Sequence, residues 1–263
     1  MITTRDRRGH VPPTRTAFLL VLATLLAGCG DDSGGNPVRP GPGSPSSQFT
    51  GAFVGGYEAG LLSISIPTAN LAPRLRAAAV TDTVVTASGV MSLDGGEVVT
   101  LGGYYDTAAD SLHLVGGPWT LAGLYYPTTG PPVIEGTIDG PNGAALFACF
   151  AGNTDSVQVF CGTFESGATP ATGRWNVLIA GATLGGLMAP EGAASAMGFS
   201  GLVTGSGTSR SLTFSAGEPG SGFISGVGTW NTITREVAGT WATETDSGTW
   251  AGERCLQGGG GPN

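Results

Sequence analysis

Short apolar runs alternate with polar turns along most of this chain, and the pattern predicts strands rather than helices. Between Phe49 and Cys255 the strand-like segments recur about every 8 to 14 residues, a spacing typical of antiparallel barrels and sandwiches. The links between them are rich in Gly, Asn, Asp, Pro and Thr, which favour turns. The sequence therefore predicts a Gly-rich, all-β, antiparallel fold, either an up-and-down β-barrel or a sandwich. The predicted strands are Ala52–Val54, Leu61–Ile66, Ala78–Val85, Val98–Tyr105, Ser111–Val115, Trp119–Tyr126, Val133–Ile138, Ala144–Ala151, Val157–Phe164, Arg174–Ile179, Gly198–Thr204, Ser211–Phe214, Gly222–Trp230, Glu236–Trp241 and Gly248–Glu253.

An internal near-repeat of about 125 residues is indicated by four short motifs that recur in the same order. The segment 53–56 matches 178–181, and 103–107 matches 228–232 at the same offset of 125 residues. The two repeats would span 49–140 and 174–255. They are compatible with one large closed sheet or with two small barrels.

One hairpin motif carries a resemblance to known barrels. The segment 228–241, GTWNTITREVAGTW, is predicted to be an aromatic strand, a turn at Asn231-Thr232 and a return strand that ends at Trp241. This sequence pattern resembles the hairpins of small up-and-down barrels such as lipocalins, avidins and some surface lipoproteins. The resemblance implies a barrel that holds a small-molecule or lipid ligand in its interior.

The N-terminus has the pattern of a bacterial export signal. A positive start that ends at Arg15 precedes an apolar run of about ten residues, which is too short to span a bilayer. The motif Leu26-Ala27-Gly28-Cys29 follows directly and resembles the lipobox of bacterial lipoproteins. This resemblance implies cleavage before Cys29 and a lipid on its thiol, and Gly30 after it suggests the outer membrane. The alternative is an ordinary signal peptide with a chance cysteine.

Four segments follow from these patterns. Residues 1–28 are predicted to be the signal peptide, and residues 29–48 the lipidated cysteine with a disordered Gly/Pro/Ser tether. Residues 49–255 form the β domain, and residues 256–263 form a flexible tail. Within the domain, only Thr68–Ala79 has helical leanings, and Pro73 limits any helix there to a turn or two.

Charge excludes nucleic acid as a partner. Residues 29–263 contain seven arginines, no lysine and 18 carboxylates, a formal net charge of −11. Binding to phosphate backbones needs clustered Lys and Arg, and docking on anionic lipid needs the same. Attachment to a membrane would therefore depend on the lipid at Cys29.

Catalytic and metal-binding patterns are weak. The sequence has no C-x-x-C pair and no G-x-S-x-G motif, so no metal, cofactor or nucleophilic triad is predicted. His113 alternates with two leucines and is expected to face solvent. Paired carboxylates remain the one catalytic device available: Glu244 and Asp246 would share a face if they lay in a strand, and Asp106 and Asp110 flank a tight turn. A carboxylate-dependent hydrolase is therefore the third functional hypothesis.

The three cysteines of the β domain are candidates for a disulfide, since an exported protein meets oxidising conditions. Cys149 and Cys161 would lie opposite each other if Thr154–Ser156 were a three-residue hairpin loop. Cys161 with Cys255 is the competing pair. Three buried free thiols are the remaining alternative.

Aromatic residues decide between the two leading functions. Trp119, Trp175, Trp230, Trp241 and Trp250 are candidates for the wall of a ligand pocket, although such residues more often fill a β core. The leading hypothesis is a non-catalytic cell-envelope lipoprotein that presents a rigid β domain for structural or interaction purposes, with an envelope protein as a possible partner. The alternative is a lipocalin-like barrel for a small apolar ligand. A cavity lined by those tryptophans would favour the alternative.

Overall fold

The chain folds into two closed antiparallel β-barrels of eight strands each in the computed structural model, which describes residues 46–67, 84–128, 130–167, 172–193, 195–217 and 223–255. The all-β, antiparallel prediction is confirmed. The predicted signal peptide, Cys29, most of the tether, Thr68–Ala79 and the tail lie outside these described residues. The first barrel consists of β1 (Ser46–Gly55), β2 (Ala59–Pro67), β3 (Val84–Leu93), β4 (Val98–Asp106), β5 (Ser111–Gly116), β6 (Trp119–Tyr126), β7 (Val133–Gly140) and β8 (Gly143–Ala151). The second barrel consists of β9 (Gln158–Ser166), β10 (Thr172–Ala180), β11 (Thr183–Pro190), β12 (Met197–Thr204), β13 (Ser209–Ala216), β14 (Ile224–Asn231), β15 (Glu236–Ala242) and β16 (Ser247–Arg254).

Each barrel has an up-and-down topology in which every strand pairs with the next one in sequence. The first ring closes where β1 pairs with β8, with Ala52 opposite Ala148. The second closes where β16 pairs with β9, with Trp250 opposite Phe164. The near-repeat thus corresponds to two small barrels rather than one large sheet.

The two barrels are of similar size, as expected of a near-repeat, but each is wider than the predicted repeat. They span residues 46–151 and 158–254, because β8 is needed to close the first ring and β9 to close the second. The motif at 53–56 begins in β1 and its match in β10, nine strands later, whereas the motif at 103–107 and its match fall in β4 and β14. The matched motifs therefore link the two barrels without one constant strand offset.

One observed strand, β11, was not predicted, and another, β3, begins later in the sequence than predicted. Strand β11 contains Gly185-Gly186 and ends at Pro190, residues that usually indicate a turn, yet it pairs along its length with β10. Strand β3 begins at Val84, near the end of the segment predicted as Ala78–Val85. Residues 78–83 lie outside the part of the chain that the structure describes.

The interior of the first barrel is filled with side chains. Inward-facing positions of all eight strands contribute to one apolar cluster, in which Phe53, Met91, Leu114, Trp119 and Phe147 are all at least 97% buried. A small eight-stranded barrel has just enough room for such a filling. The first barrel is therefore a packed core.

The outer walls of the two barrels pack against each other through a second set of apolar residues. Leu178 of β10 is completely buried in a cluster that also contains Ala52 and Phe150 of the first barrel. Beside this contact, the guanidinium of Arg174 lies 3.6 Å from the carboxylate of Asp94. Both side chains of this pair are about half exposed, so the ion pair contributes little stability.

Candidate ligand-binding site

Large aromatic rings and glycines share the inner wall of the second barrel. The Trp175 ring lies over Gly162 and Gly252, where an added Cβ would come within 2.8 Å of the indole. The Trp250 ring lies over Gly239 in the same way, at 2.7 Å. Because these inward positions lack side chains, the indoles can lie close to the wall, where Trp175 and Trp250 pack edge-to-face with their ring centroids 5.2 Å apart. This arrangement leaves part of the interior open.

The open part is a cavity of about 260 Å³ that reaches the barrel end where β15 and β16 are joined. Its wall is almost entirely apolar, and its polar lining groups belong to three residues at that end. The aromatic lining residues are Phe164, Trp175, Phe199, Phe214, Trp241 and Trp250; the aliphatic ones are Val177, Met188, Pro190, Met197 and Ile224; the polar ones are Ser166, Thr243 and Asp246.

The polar edges of the cavity tryptophans are all used within the barrel wall. Each indole Nε1–H donates a hydrogen bond to a strand carbonyl, so the rings present only their carbon faces to the cavity. The three bonds join Trp175 to Thr163 at 2.8 Å, Trp241 to Glu165 at 3.2 Å and Trp250 to Thr240 at 3.2 Å. A ligand deep in this cavity would therefore find no tryptophan donor to bind.

The mouth of the cavity carries one carboxylate held in a fixed position. Asp246 Oδ2 accepts a hydrogen bond of 2.6 Å from the Ser166 hydroxyl, and Oδ1 accepts one of 2.7 Å from the Ser247 N–H. The Asp246 N–H in turn donates to Thr243 Oγ1 at 2.9 Å. These bonds place a polar, negatively charged group at the rim of an otherwise apolar site.

The structure brings together three of the five tryptophans that are candidates for a pocket wall. Trp175, Trp241 and Trp250 line the cavity. Trp119 packs in the core of the first barrel, and Trp230 lies near the opposite end of the second.

The disulfide joins Cys161 to Cys255, with the two Cα atoms 5.6 Å apart. The hairpin pairing of Cys149 with Cys161 is wrong, because the segment between them connects two barrels instead of turning within one. Cys149 lies opposite Gly51 in the first barrel, whereas Cys161 lies opposite Glu253 in the second. Cys149 is a free, fully buried thiol, and burial raises its pKa.

The candidate catalytic carboxylates do not form a pair in a cleft. Glu244 and Asp246 lie in the turn between β15 and β16, not in a strand; Glu244 is exposed and only Asp246 lines the cavity. Asp106 and Asp110 flank the turn between β4 and β5, as predicted, and Asp106 Oδ1 accepts a 2.8 Å bond from the Ala108 N–H. Asp106 therefore stabilises its turn.

His113 faces outward, as its alternation with Leu112 and Leu114 predicts. Its ring stacks on Tyr104 of the neighbouring strand, with centroids 5.5 Å apart.

The described residues contain no group of three or more His, Cys, Asp or Glu side chains that could hold a metal ion. They also contain no helix that is long and apolar enough to cross a membrane.

Comparison with known proteins adds no functional assignment. No protein-family model matches the chain, and no curated protein matches it at a significant level. The cavity of the second barrel is therefore the feature that points to a function.

Proposed function

We propose that this chain is an exported lipoprotein that binds a small apolar molecule inside its second barrel. The observation that carries the proposal is the aromatic cavity of about 260 Å³, which contrasts with the filled interior of the first barrel. Ligand sites are typically concave and apolar, with a few polar groups that orient the ligand. The carboxylate of Asp246 and its Ser166 partner supply such groups at the mouth.

The cavity supports a narrow class of ligand. Its volume is slightly below the lower end of the usual range of about 300–1,000 Å³ for ligand sites, so a single ring system or a short acyl chain fits better than a large lipid. The indole donors are already bonded to carbonyls, so the buried part of the ligand would be hydrocarbon. One hydroxyl or amino group of the ligand would meet Asp246 at the mouth.

Export to the cell envelope is supported by two independent features. The motif Leu26-Ala27-Gly28-Cys29 resembles a lipobox, and it follows a short apolar run that is typical of a secretion signal. The Cys161–Cys255 disulfide fits an oxidising compartment. A lipid on Cys29 would then hold the barrels at a membrane, most simply the outer membrane.

Native mass spectrometry tests the ligand directly. Residues 30–263 would be exported into a periplasm behind a cleavable signal peptide and purified without detergent; this piece keeps all sixteen strands. We expect a mass excess that disappears on denaturation and identifies the ligand. A bare mass, also after incubation with a panel of short-chain alcohols, amines and aromatic compounds, would contradict the proposal.

A matched pair of variants locates the ligand. Met197 lines the cavity and Leu202 lies on the outer face of the same strand, where it is 57% exposed. Met197→Trp adds an indole that fills the cavity, and we expect it to abolish the mass excess. Leu202→Trp makes a similar change outside the barrel and should retain it. Equal retention in both variants would place the ligand elsewhere.

A second proposal concerns the outer wall of the first barrel, which supports an interaction role without catalysis. Seven of the eleven exposed large apolar side chains in the described residues lie on β3 to β6, a concentration typical of interaction surfaces. An envelope protein is the partner that fits the predicted location. The seven residues are Val84, Val90, Val98, Tyr104, Val115, Leu124 and Tyr126.

Site-specific photo-crosslinking in the cell envelope tests this surface. A photoreactive residue would replace Val115 on the first barrel or, as a matched control, Val227 on the second; these valines are 47% and 57% exposed. We expect one discrete protein adduct at position 115 and none at position 227. The same result at both positions, or no adduct at 115, would contradict a dedicated interface.

A further inference from the structure

A second recess lies at the other end of the second barrel, and its lining combines basic and other polar side chains with a few apolar ones. It has a volume of about 430 Å³, and three of the four arginines in the described residues line it: Arg210, Arg235 and Arg254. The chain carries a formal net charge of −8, so the convergence of its few arginines at one point is unexpected. No residue lines both this recess and the apolar cavity.

Arg210 belongs to the inner face of the barrel wall. It lies directly opposite Trp230 across β13 and β14, and its guanidinium carbon is 5.0 Å from the centroid of the Trp230 ring. The same inner face of β13 continues with the buried Leu212 and Phe214. A cation in this row is partly withdrawn from water, and the indole face holds it in place.

The other two arginines are tied together by the backbone. The Arg254 N–H donates to the Arg235 carbonyl at 3.0 Å, and Arg254 Nη2 donates to the Thr154 carbonyl at 2.8 Å. Arg235 has a φ of 61°, a left-handed conformation that costs energy for any residue with a Cβ atom. The turn therefore holds an arginine in a backbone conformation that favours glycine.

The protein neutralises only part of the positive charge of the recess. Within the described residues none of the three arginines forms an ion pair with a carboxylate, and Asp155 is the one acidic residue in the lining. Arg210 Nε and Trp230 Nε1 are also shielded from water without a hydrogen-bond partner. Like charges gathered in a partly buried space repel each other, and buried donors without acceptors are costly. A bound anion would relieve both costs.

We infer that this recess binds an oxyanion, namely the phosphate or carboxylate group of a small molecule or headgroup. The guanidinium group has a planar array of donors that matches two oxygens of such a group. Arg210, Arg235 and Arg254 supply the charge, and the Trp230 indole supplies a wall for the rest of the ligand. This inference is independent of the apolar cavity at the opposite end.

Titration of residues 30–263 with inorganic phosphate at constant ionic strength is the test. With ¹⁵N-labelled arginine, we expect saturable shifts of the side-chain Nε resonances of Arg210, Arg235 and Arg254, and none for Arg174. Calorimetry should give the same dissociation constant. Uniform shifts of all arginines, or shifts that sodium chloride reproduces equally, would overturn the inference.

Variants supply an independent measurement. Arg210→Gln with Arg254→Gln should weaken phosphate binding about tenfold or more, because charge-assisted hydrogen bonds are lost. Arg174→Gln removes one charge outside the recess and should change the affinity less than about twofold, as expected for an exposed, screened charge. Unchanged circular dichroism would show that the variants fold. Equal weakening by Arg174→Gln and by the double variant would mean that only net charge matters and would overturn the site.

A vesicle-binding experiment distinguishes the two sources of the oxyanion, a lipid headgroup and a soluble small molecule. Vesicles of phosphatidylglycerol would be co-sedimented with residues 30–263, with phosphatidylcholine vesicles as the control. Arginine-dependent binding to phosphatidylglycerol that free phosphate displaces would support a lipid headgroup as the ligand. Binding of free phosphate without vesicle binding would support a soluble ligand, and binding of neither would overturn the inference.

Discussion

Cys149 shows how the barrel interior changes the chemistry of a single side chain. The residue is fully buried in the core of the first barrel, and burial raises the pKa of its thiol because the thiolate cannot be solvated there. In the unfolded chain the same thiol ionises near pH 8.5. Cys149 is therefore expected to stay unreactive in the folded protein.

The first prediction concerns stability at alkaline pH. Above about pH 8.5 the unfolded chain loses the Cys149 proton and the folded chain keeps it, so the free energy of unfolding falls as pH rises, by up to about 1.4 kcal/mol per pH unit. Urea denaturation of residues 30–263 between pH 7.5 and 9.5 measures this slope. Cys149→Ala should remove this contribution, and an unchanged slope would contradict it.

Arg235 illustrates a conflict between local stability and the proposed anion site. Its φ of 61° disfavours any residue with a Cβ, so Arg235→Gly should raise the free energy of unfolding by about 1 kcal/mol. The same variant should weaken phosphate binding, since one guanidinium is removed from the recess. Denaturation and phosphate titration of this variant give the two results; a loss of stability would mean that the side chain supports the turn.

At the scale of single strands, inward glycines explain much of the unusual composition. The sequence contains 47 glycines, and the expected use for them was in turns. Several instead face the barrel interior and lie under aromatic rings, as Gly239 does under Trp250 and Gly252 under Trp175. The missing side chain at each of these strand positions therefore leaves the space that the neighbouring ring occupies.

The third prediction tests this packing. Gly239→Ala places a methyl group in steric conflict with the Val227 carbonyl oxygen and 2.7 Å from the Trp250 ring, and should lower the free energy of unfolding by about 1–3 kcal/mol or more through overpacking. Gly102→Ala is the matched control, because a Cβ there would meet no atom within 4 Å. That control should change stability by less than about 1 kcal/mol, in the stabilising direction if at all. Equal effects in thermal denaturation would contradict the close approach of the neighbouring strand and the Trp250 ring at Gly239.

The disulfide acts between the first and last strands of the second barrel. Cys161 lies in β9 and Cys255 directly follows β16, 94 residues later, so the bond restricts a long loop in the unfolded chain. The double variant Cys161→Ser, Cys255→Ser should lose about 3 kcal/mol of unfolding free energy. A reducing agent should have the same effect on the parent protein and no effect on the double variant. A loss of unfolding free energy below about 1 kcal/mol would mean that the hydrogen bonds between β9 and β16 are sufficient to close the barrel.

At the scale of the whole molecule, the two barrels share buried apolar contacts and are expected to unfold together. Leu178 is completely buried between them, in contact with the cluster that includes Ala52, Phe150 and Val159. Two barrels joined only by a linker would unfold independently. The shared cluster makes the loss of one barrel costly for the other.

The fifth prediction tests this coupling. Leu178→Ala should cost about 2–5 kcal/mol and split a single calorimetric transition into two. Leu202→Ala, at a position that is 57% exposed on the same barrel, should change stability by less than about 0.5 kcal/mol. Two transitions already present in the parent protein would contradict the coupling.

Local patterns in the sequence were sufficient for fold class and for several side-chain positions. Alternation around His113 correctly predicted that it faces outward, since successive residues of a strand point to opposite faces. Asn231 was correctly expected at a hairpin turn, where its Oδ1 accepts from the N–H groups of Ile233 and Thr234 at 2.9 and 3.1 Å. The signals for both features lie within a few residues, and so do the forces that form them.

The closure of the barrels, and with it each candidate site, was decided only by tertiary structure. Whether Cys161 pairs with Cys149 or Cys255 depends on which strand completes each ring, a contact between segments about 90 to 100 residues apart. The same closure leaves Trp119 in a filled core, gathers Trp175 and Trp250 around a cavity, and brings three arginines to one recess. The sequence by itself determined strands, faces and turns because these depend on neighbouring residues. The sites depend on how distant strands are joined in a ring, and alternation along one strand carries no information about that.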